Sequence, residues 1–224
     1  MGYFIDLGSI SIESYKAKLE SADLLPSRLI LKDQLDERFN YFQRIGINNV
    51  QELLQTLKKK DKIKELAEAE YLSEDYLVIL LRELNSIHPK PNKIKDFPGI
   101  SSHAITQMEN AGIKDTVGLF EKVMTQESRK ELSTKTGISY NEILELTKLT
   151  DLSRIRWVGA MFARVLYESG YDTVEKVSHA NYENLYKTIN QLNKVRNLYK
   201  GNIGLNDMRL CVNAAKEVPL EIEY

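Results

Sequence analysis

The chain has 224 residues, of which 42% are hydrophobic and 28% charged, a composition typical of a globular protein with one large or two small domains. Its 31 basic and 32 acidic residues give a formal net charge of −1, which excludes the overall basic balance of a strongly cationic nucleic-acid binder. No apolar run approaches the roughly 18 residues that would cross a bilayer, and the first residues do not resemble a secretory signal, so we expect no membrane contact and a cytoplasmic location.

The first part of the chain consists of an arm, "SIESYKAKLESADLLPSRLIL", and a helical repeat. Leu35, Phe39 and Phe42 are spaced to lie on one face of the first helix of this repeat. Gly46 follows where a left-handed residue would end that helix, because glycine adopts this conformation without a Cβ clash. Ser73 stands at the predicted start of the later helix "SEDYLVILLREL".

The second part of the chain repeats the first. "RIGINNVQELL" aligns with "NAGIKDTVGLF" after a shift of 66 residues, which places Gly46 on Gly112. A third copy begins at "ESGYDTVEKV", where Gly170 matches Gly112. The pair Thr173-Val174 then matches Thr116-Val117, with one residue fewer between the glycine and the pair. Such repeats of helical period predict stacked units that bury their apolar faces against their neighbours.

Capping patterns predict where the later helices begin. In the third copy, Asp172 followed by Glu175 fits an N-cap and its capping-box partner, and Ser139 with Glu142 fits the same pattern. The tail "NDMRLCVNAAKEV" is predicted to form a closing helix. Cys211, the single cysteine, lies on the apolar face of that helix, which predicts a buried thiol and excludes an internal disulfide or a cysteine-based zinc site.

These patterns predict an all-α fold without strands. It consists of tandem helix-hairpin-helix-like (SAM-like) repeats after an N-terminal arm. The prolines of "HPKPNK" disfavour helix and mark the boundary between two domains. Residues 1–90 form the arm and the first repeat, and residues 91–224 form the second and third repeats with the closing helix.

Two segments resemble the loop of a helix-hairpin-helix motif, in which amides and a helix N-terminus together favour a phosphate. The motif has the order hydrophobic, Gly, hydrophobic, Gly, with a small residue four positions on. "IRWVGAMFARVL" fits with Gly159 and Ala163, but Trp157 replaces the first glycine. "FPGISSHAITQM" keeps Gly99 and has Ser101 in place of the second glycine.

Basic residues without acidic neighbours lie on either side of the hairpin at Gly159. The candidate contacts to nucleic acid are Arg154, Arg156, Gly159, Ala160, Arg164, Lys194 and Arg196, with Gly99, Ser101 and Ser102 of the other hairpin. In the alternative interpretation, the arginines cap carbonyls or cover apolar surface with their stems, and Gly159 is only a tight corner. Trp157 is either a stacking residue or part of the core.

The segments "DFPGI", "GISYNEILELTKLTDLSRI", "VGAMFARVLYESGYDTVEKV" and "ENLYKTINQLN" resemble a bacterial family known only as a domain of unknown function built from helix-hairpin-helix-like repeats. The resemblance covers residues 92–218, and "ESADLLPSR" suggests a full-length form with a duplicated first half. It implies sequence-independent contact with DNA and brings no catalytic residues. Many proteins of the wider motif class use it only for packing or protein docking.

Two functions remain open at this stage. The first is non-catalytic, sequence-independent DNA binding through the hairpin at Gly159, and the alternative is a helical-repeat scaffold that binds a protein partner. A continuous positive face joining Arg154, Arg156, Arg164 and Lys194 would favour DNA, whereas scattered charges with exposed apolar surface would favour a protein. The three histidines lack metal-ligand spacing and no catalytic motif is present, so we expect no enzyme, metal or cofactor.

Overall fold

The computed structural model describes residues 2–224 and divides them into two compact units. The first unit is Asp6–His88, and the second joins residues 2–5 to Pro89–Tyr224. The division falls near the boundary expected after residue 90, but residues 2–5 pack with the second unit and not with the arm. All regular elements of the described residues are helical, without a β-strand, which confirms the all-α prediction.

The first unit contains the arm and four helices of the first repeat. The arm forms a helix that packs on the repeat, so it is part of this unit's core. Its helices are α1 (Ile12–Ser21), α2 (Leu35–Arg44), α3 (Val50–Leu57), α4 (Lys60–Leu66) and α5 (Glu74–Asn85). Short 3-10 helices span Leu7–Ser9 and Pro26–Lys32.

The second unit contains two further sets of four helices, after a 3-10 helix over Ile94–Asp96. The helices are α6 (Ser102–Asn110), α7 (Thr116–Phe120), α8 (Gln126–Thr136), α9 (Tyr140–Leu152), α10 (Ala160–Glu168), α11 (Val174–Ser178), α12 (Tyr182–Arg196) and α13 (Leu205–Ala215). The second helix of each set packs on the fourth: α3 on α5, α7 on α9 and α11 on α13. The predicted closing helix is therefore the fourth member of the third set.

Glycine ends the first helix of each set. Gly46, Gly112 and Gly170 have φ angles of 86°, 78° and 87°, which confirms the left-handed conformation predicted for these positions. The N-caps predicted at Ser73 and Ser139 are also confirmed, because each hydroxyl accepts the amide hydrogen three residues on. The sequence pattern thus located these five helix ends correctly.

The predicted start of α11 was wrong by one residue. Its N-cap is Thr173, whose hydroxyl accepts from the amide of Lys176, whereas the carboxylate of Asp172 accepts from Lys148 and Lys176. In the second copy, Asp115 caps α7 three residues after Gly112, just as Thr173 caps α11 three residues after Gly170. The third copy therefore does not lack a residue between the glycine and the N-cap. The Thr-Val identity had favoured a shifted alignment.

The apolar side chains of the second unit form two clusters, one within α6–α9 and one centred on α10–α13. Cys211 belongs to the latter and is 5% exposed, which confirms the predicted buried thiol. Burial raises the pKa of this thiol to about 12, so it is protonated at neutral pH and a poor nucleophile.

Candidate functional site at the hairpins

The two hairpins of the second unit share one backbone conformation. We name residues 97–101 the second hairpin and residues 155–159 the third hairpin. Gly99 has a φ of 83°, and Trp157, which replaces the motif's first glycine, has a φ of 68°. A left-handed conformation is ordinary for glycine but a genuine outlier for a residue as bulky as tryptophan. The third hairpin therefore has a left-handed backbone at a residue type that seldom adopts it.

The side chain of Trp157 lies on the surface. It is 47% exposed, and the guanidinium carbon of Arg156 lies 4.1 Å from its ring centroid, in cation–π contact. Met161, one turn further along, is 42% exposed. The interpretation of Trp157 as a core residue was thus wrong, and the outer face of the third hairpin combines two apolar side chains with one cation.

The N-terminus of α10 is partly occupied by the protein's own side chain. Gly159 is the N-cap and offers no side-chain oxygen, while the amide of Ala160 donates to Asn92 Oδ1 over 3.1 Å. Asn92 is held in place because its carbonyl accepts from the amide of Thr116 at 2.9 Å. One of the amides expected to face a phosphate is consequently already satisfied.

A carboxylate occupies the equivalent place at the second hairpin. Ser101 caps α6 and donates its hydroxyl hydrogen to Glu142 Oε1 over 2.8 Å, and Ser139 donates to Glu142 Oε2 over 2.9 Å. These two hydrogen bonds lower the pKa of Glu142, led by the bond from Ser101. The adjacent Ser102 is exposed. A phosphate approaching Ser101 would therefore meet a negative charge.

Arg154 lies in the interior and holds two distant chain segments. It is 3% exposed and donates to the carbonyl of Tyr3 at 3.2 Å, to Asp151 Oδ1 at 3.1 Å and to the carbonyl of Pro219 at 3.0 Å. Asp151 is buried beside it, and burial raises the pKa of this carboxyl. Arg154 follows the alternative interpretation, in which the arginines cap carbonyls, and does not face a nucleic acid.

Arg164 is also buried, against the second hairpin. Its Nη1 lies 2.6 Å from Glu145 Oε1, and its Nη2 lies 3.4 Å from the point where a Cβ on Gly99 would stand. The structure thus brings Arg164 and Gly99 together as a packed interior contact. Arg164, a candidate contact to nucleic acid, therefore follows the alternative interpretation of a packed arginine.

The remaining predicted cations are exposed but do not complete a positive face. Arg196 Nη2 lies 2.8 Å from Glu168 Oε2, and Lys194 is exposed on α12. Since Arg154 and Arg164 are interior, the four basic residues that would indicate DNA do not form a continuous patch. Asn92 and Met161 belong to the site although the sequence pattern did not single them out, and Glu142 was predicted only as the capping partner of Ser139.

Within residues 2–224, no cluster of three or more His, Cys, Asp or Glu side chains could hold a metal ion. None of the helices in this range is long and apolar enough to span a membrane.

Searches of curated proteins and of solved structures found no match to this chain. A family model does match: the one described as "Domain of unknown function (DUF4332)" covers residues 98–218. The matched segment takes in the second hairpin from its proline, the whole third hairpin and α6–α13. Because it spans more than half of the 224 residues, the chain belongs to this family, a domain of unknown function.

Proposed function

We propose that this protein is a helical-repeat module that binds another protein through the outer face of the third hairpin, made of Arg156, Trp157 and Met161. The observation that carries the proposal is the left-handed, half-exposed Trp157. A non-glycine residue in this region costs on the order of 1–3 kcal/mol, and such strain clusters at binding sites. Covering the ring would also bury one of the side chains that dominate interface energetics.

The composition of this face favours a protein over DNA. Tryptophan and arginine are the residue types most enriched among the hot spots of protein interfaces. DNA binding needs several cations that can reach successive phosphates, yet Arg154 and Arg164 are interior and Arg196 is ion-paired.

Sequence-independent DNA binding is the second candidate function. It is supported by the hairpin backbone, whose left-handed residue precedes a helix N-terminus as in a helix-hairpin-helix motif. With Lys194 exposed and Arg156 partly exposed, we expect a salt slope no steeper than about −2 in log K against log salt and dissociation constants of about 10⁻⁴ to 10⁻⁶ M.

The test compares Trp157→Gly with Leu205→Ala. Trp157→Gly restores the motif glycine, relieves the strain and removes the proposed anchor, whereas Leu205 is a similarly exposed apolar residue, 44% exposed, on another helix. Proteins that become cross-linked to the wild type should also become cross-linked to Leu205→Ala, but not to Trp157→Gly.

Gel-shift titrations of duplex and single-stranded DNA at two salt concentrations provide the second arm. A DNA shift that Arg156→Glu abolishes, together with no protein lost from Trp157→Gly, would replace the proposal with DNA binding. No shift at low salt would eliminate the DNA candidate.

A further inference from the structure

The segment after α13, Pro219–Tyr224, is not helical and lies against polar residues of the second unit. We name this segment the strap. We call the residues that contact the strap the groove; they belong to α8, α9 and the connections around them: Met124, Arg129, Lys148, Asp151 and Arg154. The strap is thus an extended peptide seated on a helical surface, and its contacts indicate what this groove recognises.

Three of these contacts are made to the main chain of the strap. Arg154 donates to the carbonyl of Pro219 over 3.0 Å, and Arg129 donates to the carbonyl of Glu223 over 2.6 Å. The amide of Glu223 donates to the carbonyl of Met124 over 2.8 Å. Because every peptide unit offers these groups, an extended segment of different sequence could satisfy all three.

A tyrosine side chain provides the specific contact. Tyr224 donates its hydroxyl hydrogen to Asp151 Oδ2 over 2.9 Å, and its ring centroid lies 5.9 Å from both the guanidinium carbon of Arg129 and Lys148 Nζ. Asp151 is fixed from below, since its Oδ2 also accepts from the amide of Val174 at 3.0 Å. The groove therefore ends in a preformed acceptor for a phenol, flanked by two cations.

The strap itself is an imperfect occupant. Both carboxylate oxygens of Glu221 are buried, and neither has a hydrogen-bond partner among residues 2–224. Burying an unpaired polar group opposes closure, more so for a charged one. Leu220 and Tyr224 remain 59% and 50% exposed, so closure buries little apolar surface in return.

We propose that the strap leaves the groove reversibly and that the open groove binds an extended peptide of another chain that carries a tyrosine at the position of Tyr224. Opening would deprive the buried Arg129 and Arg154, which are 1% and 3% exposed, of the strap carbonyls to which each donates. A peptide that supplies those carbonyls without a buried, unpaired carboxylate is a better ligand than the strap. This inference concerns a different surface and does not rest on the hairpin proposal.

Hydrogen exchange of the full chain tests the release of the strap. The amide of Glu223, bonded to Met124, should exchange at least about tenfold faster than the core amides of α13, because strap opening is local. Glu221→Gln should slow this exchange, since it removes the buried charge. Tyr224→Phe should accelerate it about tenfold, since it removes a hydrogen bond to a charged group.

The exposed Glu183 on α12 provides the control, and Glu183→Gln should leave the exchange of Glu223 unchanged. If the Glu223 amide exchanges at the rate of α13 in the wild type and in Tyr224→Phe, the strap opens only with global unfolding and the proposal is wrong.

Peptide binding tests the recognition. The probe is a synthetic peptide with the sequence VPLEIEY of residues 218–224, titrated into the full Tyr224→Ala chain and followed by NMR shifts of groove amides. It should bind this variant at least about tenfold more tightly than the wild type, whose own strap competes at an effective concentration of the order of millimolar.

A peptide with Phe in place of Tyr and one of scrambled sequence serve as controls. Both should bind more weakly than the probe. Equal binding of the scrambled peptide, or no binding of the probe to Tyr224→Ala at millimolar concentration, would overturn the proposal.

Discussion

The second and third hairpins have the same backbone turn but opposite surroundings. In the second, Gly99 takes the left-handed position, Arg164 packs against it, and Ser101 caps the next helix under the carboxylate of Glu142. In the third, Trp157 takes that position, half-exposed, and Gly159 offers no cap. The same turn therefore serves packing in one repeat and display in the other, so the motif alone does not indicate a ligand.

The largest expected effect separates the buried Arg154 from the partly exposed Arg156 beside the third hairpin. Arg154→Ala should lower the free energy of unfolding by about 3–5 kcal/mol, because it leaves Asp151 buried without its cation. Arg156→Ala, which removes a contact with a half-exposed ring, should cost about 1 kcal/mol or less. Denaturant unfolding of both variants measures the difference, and similar losses would contradict the assignment of Arg154 to the interior.

The next effect distinguishes crowded from open left-handed glycines. Gly99→Val should destabilise by about 2–3 kcal/mol, since valine is strained at positive φ and its branches would displace Arg164. Gly112→Val carries only the backbone strain, because nothing lies within 4 Å of its Cβ position, and should cost about 1 kcal/mol. Urea midpoints of the two variants would be equal if Arg164 did not pack against the second hairpin.

A smaller effect is expected from the carboxylate at the second hairpin. Hydrogen bonds from Ser101 and Ser139 lower the pKa of Glu142 from its ordinary 4.5 in the folded state. Its contribution to stability is therefore complete above pH 4.5 and is lost as the pH falls through the lowered value. Ser101→Ala should weaken this acid-dependent loss. A pH series of thermal midpoints that is identical for wild type and Ser101→Ala would exclude the contact.

The smallest effect concerns the N-cap of α10. Gly159 has a φ of −86°, an ordinary value for any residue, and nothing lies within 4 Å of its Cβ position. Gly159→Ser should therefore raise stability by about a few tenths of a kcal/mol, because a serine hydroxyl caps a helix better than glycine. A measurable loss of stability would mean that the third hairpin requires glycine at this position.

The sequence predicted features that depend on neighbours along the chain. The glycines that end the first helices and the caps at Ser73 and Ser139 follow from local backbone chemistry, and they were correct. The sequence left open whether Arg154 caps carbonyls or contacts nucleic acid, because a partner of its guanidinium is remote: the carbonyl of Tyr3 is 151 positions away. The local sequence around a basic residue does not distinguish a side chain exposed to solvent from one that donates to a buried carbonyl.

The third hairpin was located by its motif, but its exposure was not predictable. Placing Trp157 opposite the motif's first glycine identified the position that proved to be left-handed. Whether its ring lies inside or outside depends on how α9 and α10 pack. Similarly, Asn92 lies 68 positions from the Ala160 amide that it satisfies, so no local pattern could have revealed this contact.

Trp157→Gly tests the central claim most directly, with stability and partner binding measured on the same preparation. We predict that the free energy of unfolding is higher than that of the wild type by about 1 kcal/mol or more, because the strain at φ 68° is relieved. We also predict that the proteins cross-linked to the wild type are lost. A variant that is less stable, or that retains every cross-linked protein, would contradict the view that Trp157 is held under strain for a partner.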